Sequence, residues 1–494
     1  MARPAEGSHD RRLPGGPGRV IAEAMARLLG GPGRTRVVLL LGGVLALNSA
    51  DTGTLGAAAN QLEADLGISH AQLGLLASAS SGVGAIASVP MGVLADRTNR
   101  VRLLVITTAL WAAAMALGGL APSYELLLLS RLLLGAALAA AGPVVVSLIG
   151  DFIPPAERAG VLGWILTGEL IGAGAGLLVG GEIAAAYSWR YAFFLLAAAS
   201  AGLSVTLWRL LPEPARGGAG QLRADRGGSK PGPRRDSGRQ ATDRAQAAVA
   251  ARGVAPASDR VLTGDPTGWT LAHAAAYLLA IPTNRLLIVA SAMGYFFFAG
   301  MRTFIVVFAV RHFGISEMAL GALVPVIGVV AVTGTVLAGR LTDRALARGH
   351  TSVRILVPAA GFVAAALLFV PGVWFTSVAV ALPLIALGAG ALSVSNPPLD
   401  AARLDIVPGR LWGRAESLRT VLRLAAEAAA PATFGWLADQ LDGEAGQSTG
   451  VGLRNAFLIM LIPLAANGLI MIAARRTYPV DVATAAESDR ASNE

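Results

Sequence analysis

The chain has 494 residues, of which 54% are hydrophobic and only 14% charged, and it contains no cysteine. So little charge over so long a chain excludes an ordinary soluble protein, and the missing thiols exclude disulfides, thiolate chemistry and Cys-held metals. The formal charge of +9 rests on arginine, with Lys230 the single lysine; it falls in loops and tails, which argues against a nucleic-acid face.

Taken in order, the elements are apolar runs of about 20 residues, the length that crosses a hydrocarbon core of about 30 Å as a helix. A polar stretch over 1–36 carries Arg3, Arg11, Arg12, Arg19, Arg27, Arg34 and Arg36 and lacks a secretory-signal pattern. Six spans are then predicted over 37–58, 71–94, 101–120, 124–150, 160–184 and 190–211. Span 1 holds Asn48 and Asp51, span 4 holds Arg131, and span 5 holds Glu169 among Gly163, Gly172, Gly176, Gly180 and Gly181. Between spans 2 and 3 runs the charged phrase "MGVLADRTNR", with Gly92, Asp96, Arg97 and Arg100.

Residues 213–284 are rich in Gly, Pro and Arg and read as a flexible linker, ending in a short apolar piece near 268–282 that fits an amphipathic helix on the membrane face. Six more spans follow over 285–310, 318–340, 352–370, 376–397, 412–438 and 452–474, and then a tail over 476–494. Span 7 brings Tyr295, Phe296, Phe297, Phe298 and Arg302; span 11 brings Arg419, Arg423 and Glu427 at four-residue steps, which project from one helix face. After span 8 the charged phrase returns as Gly339-x-Leu341-x-Asp343-Arg344, and a weaker echo, "GWLADQ" with Gly435, Leu437, Ala438 and Asp439, closes span 11.

The expected fold is therefore an all-α membrane protein of twelve transmembrane helices in two six-helix bundles, 37–212 and 285–475. Arginines concentrate at the termini and in the loops after spans 2, 8 and 10, whereas "NQLEADLGISH" and "APSYE" hold none. Under the positive-inside rule this puts both termini in the cytoplasm. Internal and inverted repeats of the kind seen at spans 2, 8 and 11 suit a rocking-bundle transporter.

With these residues in hand, the sequence resembles the major facilitator superfamily. "GVLADRTNRVR" is similar to the family's loop 2–3 signature, with Asn99 where the family commonly has Gly. Asn48 and Asp51 together with the Asp96-Arg97-x-Asn99-Arg100 order resemble the Spinster-like branch; Arg131 and Gly135 match the family's span-4 segment, with Leu138 where that branch carries an acid. The span-5 glycines resemble the motif of proton-linked drug efflux, with Leu177 in place of its proline. The resemblance implies alternating access, with the loop 2–3 aspartate facing the start of span 11 near Trp412 and Gly413, and Arg97 and Arg100 tying loop to helix ends as a cytoplasmic gate. It also implies that spans 1 and 4 line the cavity. Counting depth at about 1.5 Å per residue then predicts an Asp51–Arg131 pair, whose protonation at Asp51 would release the arginine.

An ionisable side chain in mid-membrane is a functional candidate by default, and burial disfavours a charged carboxylate, which makes Glu169 a candidate proton carrier. Arg423 and Glu427 are expected to neutralise each other, Arg302 to approach Glu427, and Arg419 to snorkel. No histidine falls in mid-span, so a histidine relay is not expected; nor is a metal site, a cofactor or a catalytic set. The expected function is proton-coupled export of a lipophilic or amphipathic molecule by a plasma-membrane monomer with no nucleic-acid partner. Proton-coupled uptake of a small metabolite, or a non-transporting sensor of the same fold, are the alternatives.

Overall fold

Lipid offers a peptide group no hydrogen-bond partner, so an apolar chain of this length must satisfy its backbone within helices. The computed structural model describes residues 31–153, 158–215, 222, 245–264, 266–442 and 450–491, and among these there is no strand. The first half runs α1 (Pro32–Ala57), α2 (Ala59–Leu66), α3 (His70–Arg97), α4 (Arg100–Gly119), α5 (Tyr124–Leu138), α6 (Ala141–Phe152), α7 (Arg158–Ala175), a π-helical turn (Gly176–Gly180), α8 (Gly181–Ala186) and α9 (Trp189–Leu210). The second half runs α10 (Leu271–Ala280), α11 (Pro282–Phe313), α12 (Glu317–Ala347), α13 (Val353–Trp374), α14 (Val378–Ser393), α15 (Asn396–Asp405), α16 (Trp412–Asp442) and α17 (Val451–Ala491).

Local chemistry sets the helix starts. Ser69 and Gln72 form a reciprocal capping box at the head of α3. Asn99 accepts from the Arg102 amide at 2.7 Å and so caps α4, which gives this departure from the loop signature a structural use. The halves meet along α3 and α16, with further contacts of α1 with α11 and of α8 with α12.

Nine helical stretches among the described residues are long and apolar enough to cross a membrane. The helices at the places of expected spans 2, 5 and 11 (α3, α7 with its π turn, and α16) are not among the nine. The fourth and tenth predicted spans are each interrupted, between Leu138 and Ala141 and between Ser393 and Asn396.

Two further expectations change. The stretch 476–494 is not a separate tail: up to Ala491 it continues the helix of the last span. Of the linker 213–284, residues 216–221, 223–244 and 265 lie outside the described residues, but the described part from 245 onward packs in place. The Ala257 and Leu262 amides donate to Thr484 and Ser488 on α17, at 2.9 and 3.0 Å. Asp481 accepts from Arg260 at 2.5 Å and from the Thr283 amide at 2.9 Å. The polar face of the α17 extension thus finds its partners in linker amides and the Arg260 side chain, which an apolar-run reading does not register. The apolar piece near 268–282 forms α10, with Ala274 and Leu278 buried.

Candidate functional site

Asp51 on α1 and Arg131 on α5 are brought together. The guanidinium donates to Asp51 Oδ1 at 2.6 Å, with the side chains 1% (Arg131) and 5% (Asp51) exposed. The Phe193 ring of α9 lies 4.5 Å from the same guanidinium. One turn further along, α5 also lies close to α3: a side chain at Gly135 would run into the backbone of Ser80. Arg131 keeps two donors, Nε and Nη2, buried without a partner. Asn48, one turn before Asp51, is half-buried, and its carbonyl accepts the Thr52 hydroxyl at 3.3 Å.

The span-5 glycines press α7 onto α1. A methyl group at Gly172 would meet the backbone of Ala46, one at Gly176 the backbone of Ala50, and one at Gly180 the Thr54 side chain, while Gly181 faces Ala57 at 3.2 Å. Where the antiporter motif carries a proline, this chain has Leu177 inside the π turn, and Thr54 donates to the Gly176 carbonyl at 3.1 Å. A π turn distorts a helix without a proline.

Glu169 does not stand alone. Arg302 on α11 lies within electrostatic range of Glu427, Glu169 and Asp51. Arg302 Nε is buried without a partner, and its guanidinium lies 5.9 Å from the Phe298 ring centre. Arg423 pairs with Glu427 at 3.3 Å and lies 4.8 Å from the Tyr295 ring centre. Charges from α1, α7, α11 and α16 therefore form one electrostatic set spanning both halves. Arg302 and Glu427 share it without a direct ion pair among the described residues. Arg419 pairs with Glu416, and both line a cavity of about 480 Å³ with Asn284, Asp400, Arg403 and Trp412.

The charged phrase gives a mixed outcome. Arg100 is buried and bonds Asp151 at the end of α6, Glu213 at 2.9 Å and the Pro214 carbonyl at 3.0 Å. Arg97 and Arg344 are exposed. Gly92, Asp96, Gly163 and Asp343 take their places in α3, α7 and α12, but their surroundings lie outside the described residues; a methyl group at Gly339 would meet open space. The second half has its own buried arginine, which the phrase did not indicate. Arg354 donates to Asp405, and the Tyr478 hydroxyl donates to the same carboxylate. Both pairs, Arg100–Asp151 and Arg354–Asp405, are 51 residues apart. That repeat of spacing was the available signal.

The inverted echo is engaged at the opposite end of the bundles. Asp439 accepts from the amides of His70 and Ala71, at 3.1 and 2.8 Å, and so caps α3 of the other half with a negative charge at its N-terminus. A side chain at Gly435 would collide with the His70 backbone, so the glycine permits the approach that the aspartate then fixes.

The family profile described as Major Facilitator Superfamily matches residues 41–402. The fold is similar to the crystal structure of a bacterial homolog to the human lysosomal transporter Spinster in an inward-facing, unoccupied conformation: TM-score 0.69, 21% identity, 92% of this chain and 98% of that one. It is also similar to a nucleoside transporter, with TM-score 0.59, 11% identity, and 89% and 98% covered. Among curated proteins it is 30% identical over 158 residues to a hexuronate transporter of Bacillus subtilis (strain 168), covering 32% of this chain and 37% of that one. It is 30% identical over 174 residues to a gallate transporter of Pseudomonas putida, covering 35% and 38%. The matches thus span well under half the length of these curated relatives.

Proposed function

The chain belongs to the Major Facilitator Superfamily, and from that premise we propose that it is a proton-coupled secondary transporter working by alternating access. On this reading twelve spans cross a bacterial plasma membrane with both termini in the cytoplasm. The monomer exports a lipophilic or amphipathic organic molecule, with the Arg97, Arg100 and Arg344 phrases on the cytoplasmic side. The observation that carries the reading is the buried Asp51–Arg131 pair. A proton on Asp51 cancels the attraction and leaves a buried cation uncompensated, which gives a proton leverage over how α1 and α5 sit. Glu169, Glu427, Arg302 and Arg423 extend that charge set into the second half, and Tyr295 and Phe298 supply aromatic surface beside it. The span-5 glycine spacing supports export.

The test is substrate-induced proton flux in proteoliposomes under an imposed pH gradient, across a panel of drugs, lysolipids and organic acids. Wild-type flux from both Asp51→Asn and Glu169→Gln would refute coupling through these groups.

A second reading, proton-coupled uptake of a small metabolite, is favoured by the unpartnered N–H groups of Arg131, Arg302 and Arg423. Guanidinium donors suit a carboxylate, and the hexuronate and gallate transporters carry names of carboxylic acids. The organic acids of the panel separate the two readings.

A further inference from the structure

His70 begins α3 and lies in a loop by sequence, yet only 4% of it is exposed. It sits where the two halves meet at the end opposite the termini, enclosed by charge from both. Its Nδ1 lies 2.5 Å from Glu63 Oε1 on α2, and its Nε2 lies 3.2 Å from Arg311 Nη1 on α11. Arg311 Nη2 closes the triangle by donating to Glu63 Oε2 at 2.5 Å. Asp442 at the end of α16 stands 3.9 Å from Nε2. Asp439, also on α16, is held by the backbone amides of His70 and Ala71. The Phe304 ring packs edge-on at 6.1 Å between centroids.

The donors fix where the proton lies. A guanidinium only donates, so Nε2 must be the acceptor of the Arg311 bond. The single ring proton is then on Nδ1 and goes to Glu63. A second proton, on Nε2, would strengthen the bond to Glu63 but turn the Arg311 contact into two cations facing each other at bonding distance, a clash that parting the seam relieves. Asp442 Oδ2, at 3.9 Å, lies beyond hydrogen-bond reach of that proton.

We infer that this seam is a proton-binding site of the transport cycle, with His70 the group that takes the proton and the Glu63–Arg311 bridge between the halves the latch that it releases. In the family's alternating-access cycle, on which this inference rests, the seam must part whenever the cavity faces the side away from the termini. Once parted, His70 meets water and can be protonated without opposing Arg311. A proton that binds the parted form better than the shut form shifts the population toward the parted form. Acid on that side opens the seam. One proton changes the parted-to-shut ratio by at most about tenfold per pH unit, and histidine titrates in the range from about pH 5 to 8 where such a gradient operates.

The chain has no cysteine, so the measurement needs no background removal. Ala64→Cys and Thr376→Cys, at exposed positions on the two halves, carry spin labels across the seam in nanodiscs without substrate. Lowering the pH from about 7.5 to about 5.5 is expected to move the distance distribution toward the longer, parted population. His70→Gln, which can donate to Glu63 and accept from Arg311 but cannot be charged, is expected to keep the shut distance at both pH values. Arg311→Gln, which leaves His70 but removes the opposing cation, is expected to lose or reverse the acid response. An unchanged or shortened distance in acid, or a full acid response in His70→Gln or Arg311→Gln, overturns the inference. Asp51→Asn should lose proton flux and keep the acid response of the distance. If it loses that response while His70→Gln retains it, coupling through Asp51 stands and the latch fails.

Discussion

Arg131 donates to Asp51 across 2.6 Å between α5 and α1, with both side chains buried and Phe193 lying 4.5 Å from the guanidinium. Removing one partner of a buried ion pair leaves an unpaired charge, at a cost of about 3–5 kcal/mol. Asp51→Asn is therefore expected to lower the melting temperature in detergent and to abolish proton-driven flux. Asp51→Asn with Arg131→Gln should regain most of the melting temperature and none of the flux. Thermal unfolding followed by size-exclusion fluorescence, beside proteoliposome flux, checks both halves of the expectation.

The contact of α7 with α1 sets a second test. Gly172→Ala places a methyl group against the Ala46 backbone, whereas Gly174 faces open space. Overpacking costs about 1–3 kcal/mol, so Gly172→Ala should be destabilised by that order and Gly174→Ala hardly at all. Equal melting temperatures for the two variants would contradict the packing described for span 5.

In the second half, Asp405 is fully buried and takes hydrogen bonds from both Arg354 and Tyr478. A hydrogen bond to a charged group contributes about 1.5–3 kcal/mol. Tyr478→Phe should lose stability in that range, while Asp405→Asn should lose more, because it leaves Arg354 without its buried counter-charge. The readout is again thermal unfolding, with Tyr277→Phe as a comparison at a half-buried tyrosine that donates to the Arg260 carbonyl and touches no buried carboxylate–arginine pair.

The linker provides a fourth test. Asp481 holds both Arg260 and the amide of Thr283. Asp481→Asn removes the charge from both bonds, and trypsin should then cut after Arg260 at least about tenfold faster, as expected from the loss of a charged hydrogen bond. An unchanged cleavage rate on gels would show that the linker does not depend on this carboxylate.

The sequence was legible wherever one physical scale governs. Apolar run length marked the places of the helices, and the constant rise of a helix turned the positions of Asp51 and Arg131 into matching depths. Arg423 and Glu427 were legible because a four-residue step fixes one helix face. What escaped depends on contacts between distant segments. His70 looks like a loop residue until α3 meets α11 and α16. Arg354, Asp405 and Tyr478 carry no local motif, since their repeat of Arg100 and Asp151 lies in a spacing and not in a phrase. The α17 extension has no apolar run to announce it. Asp439 was noticed as an echo of the charged phrase, but its role as the cap on α3 came only from the fold.

The π turn at Gly176–Gly180 also changes how neighbouring positions are to be compared with other proteins. Such a turn closes with one residue more than an α turn, and one residue corresponds to about 100° around a helix axis. Every side chain from Gly181 to Ala186 is therefore rotated relative to an uninterrupted helix carrying the same letters. Glu182 and Ile183 point where their neighbours would otherwise point, and α8 meets α12 with that rotated face. A gap-free alignment through Leu177 with a relative whose helix is uninterrupted would transfer the wrong side chains to this contact, so substitutions borrowed from such a relative should be chosen by angular position around α8.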